Sequence, residues 1–163
     1  VGGRDEDGLA TTSLVLDLKT LRWSALPGPI PREHLAAVSA RGVVYAVAGR
    51  TAGIDTNLRT FEAYDPRVRR WRRLPPVPSS RGGTGAAALA GRIVSVGGEE
   101  PAGTIASVFA FDLDSRRWQR LPDLPTPRHG LGVVALGGRV WAVGGGPQPG
   151  LFVSDAVESL AVP

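Results

Sequence analysis

Val43-Val44-Tyr45-Ala46-Val47-Ala48-Gly49, then Phe61-Glu62-Ala63-Tyr64-Asp65-Pro66, then Trp71, Leu74-Pro75 and Arg81 decide the fold, because the chain writes this pattern more than once. Working outward, Trp23, Trp71 and Trp118 are separated by 48 and 47 residues, and Arg32, Arg81 and Arg128 by 49 and 47. A pair of small residues recurs at Gly2-Gly3, Ala48-Gly49, Gly97-Gly98 and Gly144-Gly145, spaced 46, 49 and 47. Three independent markers drifting together around one period signify a repeat architecture, and 163 residues hold about three and a half such units.

Each unit reads as four short strands. The second unit places them at 35–40, 43–48, 60–64 and 71–74, the third at 84–89, 92–96, 107–111 and 118–121. Arg41-Gly42, Gly91 and Gly137-Gly138 lie between first and second strands, where tight hairpins need residues that accept a positive φ. Asp17, Asp65 and Asp112 each stand six residues before a tryptophan and open the turn between third and fourth strands. An aspartate suits that place because its carboxylate accepts a hydrogen bond from the backbone N–H two residues on. Pro and Gly interrupt every window in which a helical period could build.

The combined pattern resembles the Kelch repeat: a small-apolar strand, Gly-Gly, a variable loop, aromatic-Asp, six residues to Trp, Leu-Pro and then Arg. It is carried by Phe111-Asp112, Trp118, Leu121-Pro122 and Arg128 as well as by the second unit. Ala48 in place of the first Gly, Ser95 in place of an aromatic, and Ala161 in place of an Asp depart from it. The resemblance implies an all-β fold, a β-propeller of four-stranded antiparallel blades around a channel, with an incomplete ring in this chain. The expected partition is residues 1–31 as the end of a first blade, 32–80 as the second, 81–127 as the third and 128–163 as a last blade lacking its outer strand. Val1 is no translation start, which reads as a processed chain, an excised domain or a fragment. Because the first unit keeps only its third and fourth strands and the last only its first three, the chain is expected to be the C-terminal half of a larger propeller whose remaining blades are its first partners. Trp23, Trp71 and Trp118 are expected to be mostly buried between neighbouring blades, at equivalent positions.

Composition removes several function classes. The chain has no Cys, so disulfides, thiol catalysis and Cys-based zinc sites are absent, and so is the Cys–Tyr chemistry of the copper-radical oxidases among Kelch-type propellers. No serine lies in a Gly-x-Ser-x-Gly elbow. Gly83-Thr84-Gly85-Ala86-Ala87-Ala88 has the spacing of a dinucleotide loop but follows a Pro-rich turn and leads into a strand. Asp5-Glu6-Asp7-Gly8 lacks the later ligands of a calcium loop and reads as a solvated acidic loop. No cofactor, metal or catalytic residue is expected. The net charge is +4, yet its arginines flank tryptophans in repeated blocks such as Arg69-Arg70-Trp71-Arg72-Arg73. That placement protects strand edges, so neither nucleic acid nor membrane is an expected partner.

Recognition remains. In an antiparallel blade, the loop after strand two and the connector into the next blade emerge on one face. The candidate ligand residues on that face are Arg32, His34, Arg50, Asp55, Arg81, Glu99, Arg128 and His129. The Kelch resemblance implies a protein or acidic-peptide partner there, with Arg32, Arg81 and Arg128 gripping carboxylates as a positive ring; their alternative role is to bond backbone carbonyls between blades. The second class of reading is a carbohydrate-binding or mutarotase-like propeller of a secreted bacterial protein, which needs only polar groups converging in a channel.

Overall fold

The computed structural model describes residues 1–162. In chain order the strands are β1 (Arg4–Asp5), β2 (Gly8–Leu9), β3 (Thr12–Asp17), β4 (Arg22–Pro27), β5 (Ala36–Ala40), β6 (Val43–Val47), β7 (Phe61–Asp65), β8 (Arg70–Arg73), β9 (Gly85–Leu89), β10 (Arg92–Val96), β11 (Glu99–Glu100), β12 (Gly103–Thr104), β13 (Val108–Asp112), β14 (Trp118–Leu121), β15 (Gly132–Leu136), β16 (Arg139–Val143) and β17 (Val157–Ala161). One 3-10 turn, Ile54–Thr56, is the only helical element among the described residues, and no helix is long and apolar enough to cross a membrane. Two sheets are complete antiparallel meanders, β5-β6-β7-β8 and β9-β10-β13-β14; β3-β4 and β15-β16-β17 are shorter members of the same series. No ring closes among the described residues. The Asp5–Gly8 segment, read as an open loop, instead makes the turn of the ribbon β1-β2, and β11-β12 repeats that ribbon one blade pair later.

Strand alternation explains how the sheets stack. In β10, Ile93 packs in the core shared with the β5–β8 blade, while Val94 and Val96 pack in the core shared with the β15–β17 blade. β13 follows suit, with Phe109 and Phe111 on the first side and Val108 and Ala110 on the second. Both faces of this blade are covered over its three inner strands, so β9, β10 and β13 are apolar at most positions, and small residues in β9 let the inner strands crowd together. Ser95 does not replace an aromatic: the registers place it with Ala46 and Ala142 of the other blades, and Val94 stands where they have Tyr45 and Trp141. Ser95 is fully buried and shares a 3.0 Å hydrogen bond with Thr84.

Backbone latches join the blades at one end. The second glycine of each pair donates to the carbonyl of the next arginine: Gly3 to Arg32 (3.0 Å), Gly49 to Arg81 (3.0 Å) and Gly98 to Arg128 (2.8 Å). Gly49 must be glycine: its φ is +106°, and a Cβ would lie 2.7 Å from the Glu33 carbonyl oxygen.

The tryptophans reach backwards along the chain. Trp71 Nε1 donates to the Pro27 carbonyl and Trp118 Nε1 to the Pro75 carbonyl, each at 2.8 Å in the preceding blade. Their burial is less than expected. Trp71 and Trp118 are half-buried at the rim, and Trp23 is 64% exposed because no blade stands before it among the described residues.

Candidate functional site

Registers fix which loops share a face. Ala36, Val47 and Phe61 are paired at one end of their blade, and Ala40, Val43 and Asp65 lie towards the other. The first end carries the inter-blade connectors and the loops after second strands; the second carries the hairpin and strand-three turns.

At the connector end, Arg32, Arg81 and Arg128 are fully buried rather than gathered at a mouth. Arg32 donates through Nε to the Ala48 carbonyl (2.6 Å), through Nη1 to the Ile30 carbonyl (2.9 Å) and through Nη2 to the Ala46 carbonyl (3.2 Å). It also pairs with buried Glu62. Arg128 repeats every contact with Gly144, Thr126, Ala142 and Glu158, the last at 2.6 Å. These guanidinium groups staple the connector to the second strand of its own blade, each through four contacts from donors that would otherwise be desolvated unpaired. Burial pushes the Arg32 guanidinium down, opposed by Glu62. Burial also pushes Glu158 up, but hydrogen bonds from Arg128 and Thr126 outweigh this and hold its carboxyl below the ordinary range.

Arg81 differs. Phe109 occupies the repeat position of Glu62 and Glu158, and the Arg81 guanidinium lies 5.0 Å from the ring centroid. It donates to the carbonyl of Ser107 (2.8 Å) and to the hydroxyls of Ser107 and Ser79 (2.6 and 2.7 Å), while its buried Nε has no partner. Without a carboxylate, burial pulls its pKa down to about 10.

The polar groups that do converge on this face are His34, Arg50, Glu99 and His129, with Glu33 joining them. Arg50 Nη1 donates to Glu99 Oε1 (2.8 Å), Nη2 donates to His34 Nε2 (2.8 Å), and Nε lies 3.5 Å from Glu33 Oε1. A guanidinium has only donors, so His34 Nε2 is the acceptor of this contact, and its Nδ1 lies 3.4 Å from Glu33 Oε1. Glu99 Oε2 lies 3.7 Å from His129 Nδ1, carrying the row onto a third blade. Asn57 Nδ2 donates to the Glu99 carbonyl (2.6 Å). Asp55 stands exposed in the 3-10 turn and makes no ion pair with this row.

His34 is the strained member. Its φ is 53° and its side chain is 41% exposed; at the same repeat position Gly83 has φ 63° and Gly130 φ 59°. All three link blades, since Gly83 N–H donates to the His34 carbonyl and Gly130 N–H to the Gly83 carbonyl, both at 2.8 Å. A left-handed conformation that two blades assign to glycine is thus occupied in the other by an exposed imidazole.

The candidates read from sequence divide in two. His34, Arg50, Glu99 and His129 come together; Arg32, Arg81 and Arg128 lie inside, and Asp55 lies outside. Glu33, Asn57, Glu62 and Glu158 escaped that reading. Aligning the units would have exposed Glu62 and Glu158, which share one repeat position with Phe109 between them. Among the described residues no cluster of His, Asp and Glu has the composition of a metal site.

A family model described as the KLHDC2/KLHL20/DRC7 Kelch-repeats domain matches residues 1–158. The chain belongs to the Kelch-repeat family. It is similar to Kelch-like protein 34 of Homo sapiens, 35% identical over 109 residues covering 62% of the chain and 17% of that protein. It is also similar to Kelch-like ECH-associated protein 1B of Danio rerio, 37% identical over 71 residues covering 42% and 12%, and to F-box/kelch-repeat protein At1g16250 of Arabidopsis thaliana, 40% identical over 48 residues covering 29% and 12%. The chain thus spans between 12% and 17% of the length of these curated relatives. Membership accounts for the paired glycines, the rim tryptophans and the buried arginines as parts of the Kelch frame.

Proposed function

We propose that these Kelch blades form a protein- or peptide-binding scaffold, with the ligand held on the connector face across the His34–Arg50–Glu99–His129 row. The observation that carries the reading is His34: backbone strain persists where the surroundings over-determine it, and it concentrates at binding sites. Family membership supports a protein partner, and one relative bears the name ECH-associated. The arginines that suggested an acidic peptide on this face are interior, so the ligand meets imidazole, the edge of the Arg50 guanidinium and the loop backbones instead.

The test uses the full-length protein, panned in parallel against displayed random peptides and a glycan array. Peptide binders lost on His34→Gly, with the fold equally or more stable, support the proposal, since glycine is what the other two blades carry there. Selective glycan binding with no recovered peptide supports the carbohydrate alternative. Peptide binders indifferent to both His34→Gly and Arg50→Ala place the ligand elsewhere.

A further inference from the structure

Exposed charge divides unevenly between the two faces, although Arg4 and Arg59 stand among the carboxylates of one and Asp17 and Asp114 among the cations of the other. The loops after second strands, on the connector side, bring exposed carboxylates from successive blades: Asp5, Glu6 and Asp7, then Asp55, then Glu100, then Asp155. The opposite face, built from strand-three turns, brings exposed cations from successive blades: Lys19 and Arg22, then Arg67, Arg69 and Arg70, then Arg116 and Arg117. Arg67 is held by Asp65 and Arg41 by Asp114. Arg22, Arg69, Arg70, Arg116 and Arg117 have no carboxylate partner among the described residues.

The three turns have one geometry. Leu21, Arg69 and Arg116 occupy equivalent left-handed positions with φ of 54°, 52° and 57°, and each is followed by the arginine that precedes a tryptophan, Arg22, Arg70 or Arg117. The Arg41–Asp114 pair, with oxygens 2.5 and 3.0 Å from the guanidinium, ties the turn ends of the second and third blades together. The free cations therefore form a row at blade spacing. Aliphatic side chains stand exposed within it: Leu18 at 80%, Leu21 at 73% and Val68 at 62%.

We infer that the turn face docks a second protein partner through an acidic segment whose carboxylates alternate with aliphatic or aromatic side chains. Charge complementarity selects the carboxylates, and Leu18, Leu21 and Val68 select the apolar residues between them. Arginine interleaved with apolar side chains is the composition enriched in protein interfaces. A nucleic-acid backbone offers nothing to the aliphatic groups, and the indoles of Trp71 and Trp118 point into blade gaps, leaving those two turns no stacking platform. Asp17 and Asp114 interrupt the cationic row, so it fits carboxylates that are spaced apart, as on a peptide, rather than a uniformly anionic membrane surface. This surface lies opposite the connector face, and its occupancy does not depend on the reading given there.

The test measures binding of the full-length protein to a fluorescent peptide alternating Glu with Leu and Phe. Comparison probes are a Glu/Ser peptide of equal charge, a single-stranded DNA 20-mer and phosphatidylserine vesicles. The variant Arg22→Gln/Arg70→Gln/Arg117→Gln leaves the left-handed positions untouched, and a thermal melt checks its fold. The expected result is binding of the Glu/Leu/Phe peptide that weakens on the order of tenfold in the variant, three exposed ion pairs being lost. It should weaken again in Leu18→Ser/Val68→Ser, fall with added salt, and persist in His34→Gly. Equal binding of the Glu/Ser peptide, tighter binding of DNA or vesicles, or indifference to the triple variant would overturn the inference.

Discussion

At residue scale, the three buried arginines form a natural comparison series. Arg32 and Arg128 each face a carboxylate, whereas Arg81 faces Phe109. Removing one partner of a buried pair leaves the other charge desolvated, a loss of about 3–5 kcal/mol. Removing a buried cation that has no counter-ion also removes its own desolvation cost. Arg32→Met, which strands Glu62, should therefore cost about 3–5 kcal/mol, and Arg81→Met at least about 2 kcal/mol less. Urea titration of the two variants checks the difference; equal losses would show that the carboxylate is not what separates these sites. The arginine period was plain in the sequence, but its role was not. A repeated Arg before an inner strand reads equally as ligand contact or staple until the carbonyls of residues 14 and 16 positions on are seen to accept from it.

At the scale of elements, the strand-three turns were the most legible part of the chain. Asp17 Oδ1 accepts from the backbone of Lys19 and Thr20, Asp65 Oδ1 from Arg67, and Asp112 Oδ1 from Asp114 and Ser115. Side-chain and backbone hydrogen bonds from Arg67 hold the Asp65 carboxyl at about 2, against an ordinary 3.8. Backbone hydrogen bonds lower Asp17 and Asp112 as well, in company with the Ser115 hydroxyl at Asp112. A folded-state pKa below the unfolded one contributes stability that is complete above the unfolded value and lost as pH falls through the folded value. These turns should accordingly loosen as pH drops from about 4 towards about 2. Carboxyl titration followed by NMR should place the Asp65 midpoint near 2; a midpoint at 3.8 would falsify the bidentate Arg67 contact. The strands themselves were readable because alternation, Gly turns and Pro connectors all mark the same boundaries. The short ribbons β1-β2 and β11-β12 were not, since two paired residues leave no period to detect. Tryptophan burial was overestimated for a related reason: spacing gives an equivalent position, but the depth of that position depends on a neighbour in space.

At the scale of the whole molecule, the apolar faces of the outermost blades decide how the isolated chain behaves. Leu14 and Trp23 are exposed on the outer face of the β3-β4 sheet, and Val134, Val143 and Val157 on that of the β15-β16-β17 sheet. In the middle blades the equivalent faces are covered, which identifies these side chains as interface residues lacking a cover among the described residues. β3 and β17 also each present an unpaired edge, and open edges beside apolar patches promote association. Residues 1–163 produced alone should self-associate with rising concentration. The oppositely charged faces offer a second route, turn face to connector face, and salt distinguishes the two. Contact through charged loops dissolves once the Debye length falls to about 3 Å near 1 M salt, whereas burial of apolar sheet faces does not weaken. Light scattering should therefore show association that survives 1 M NaCl. A clean monomer at all concentrations, with a cooperative melt above ~65 °C, would mean that these sheets are stable uncovered.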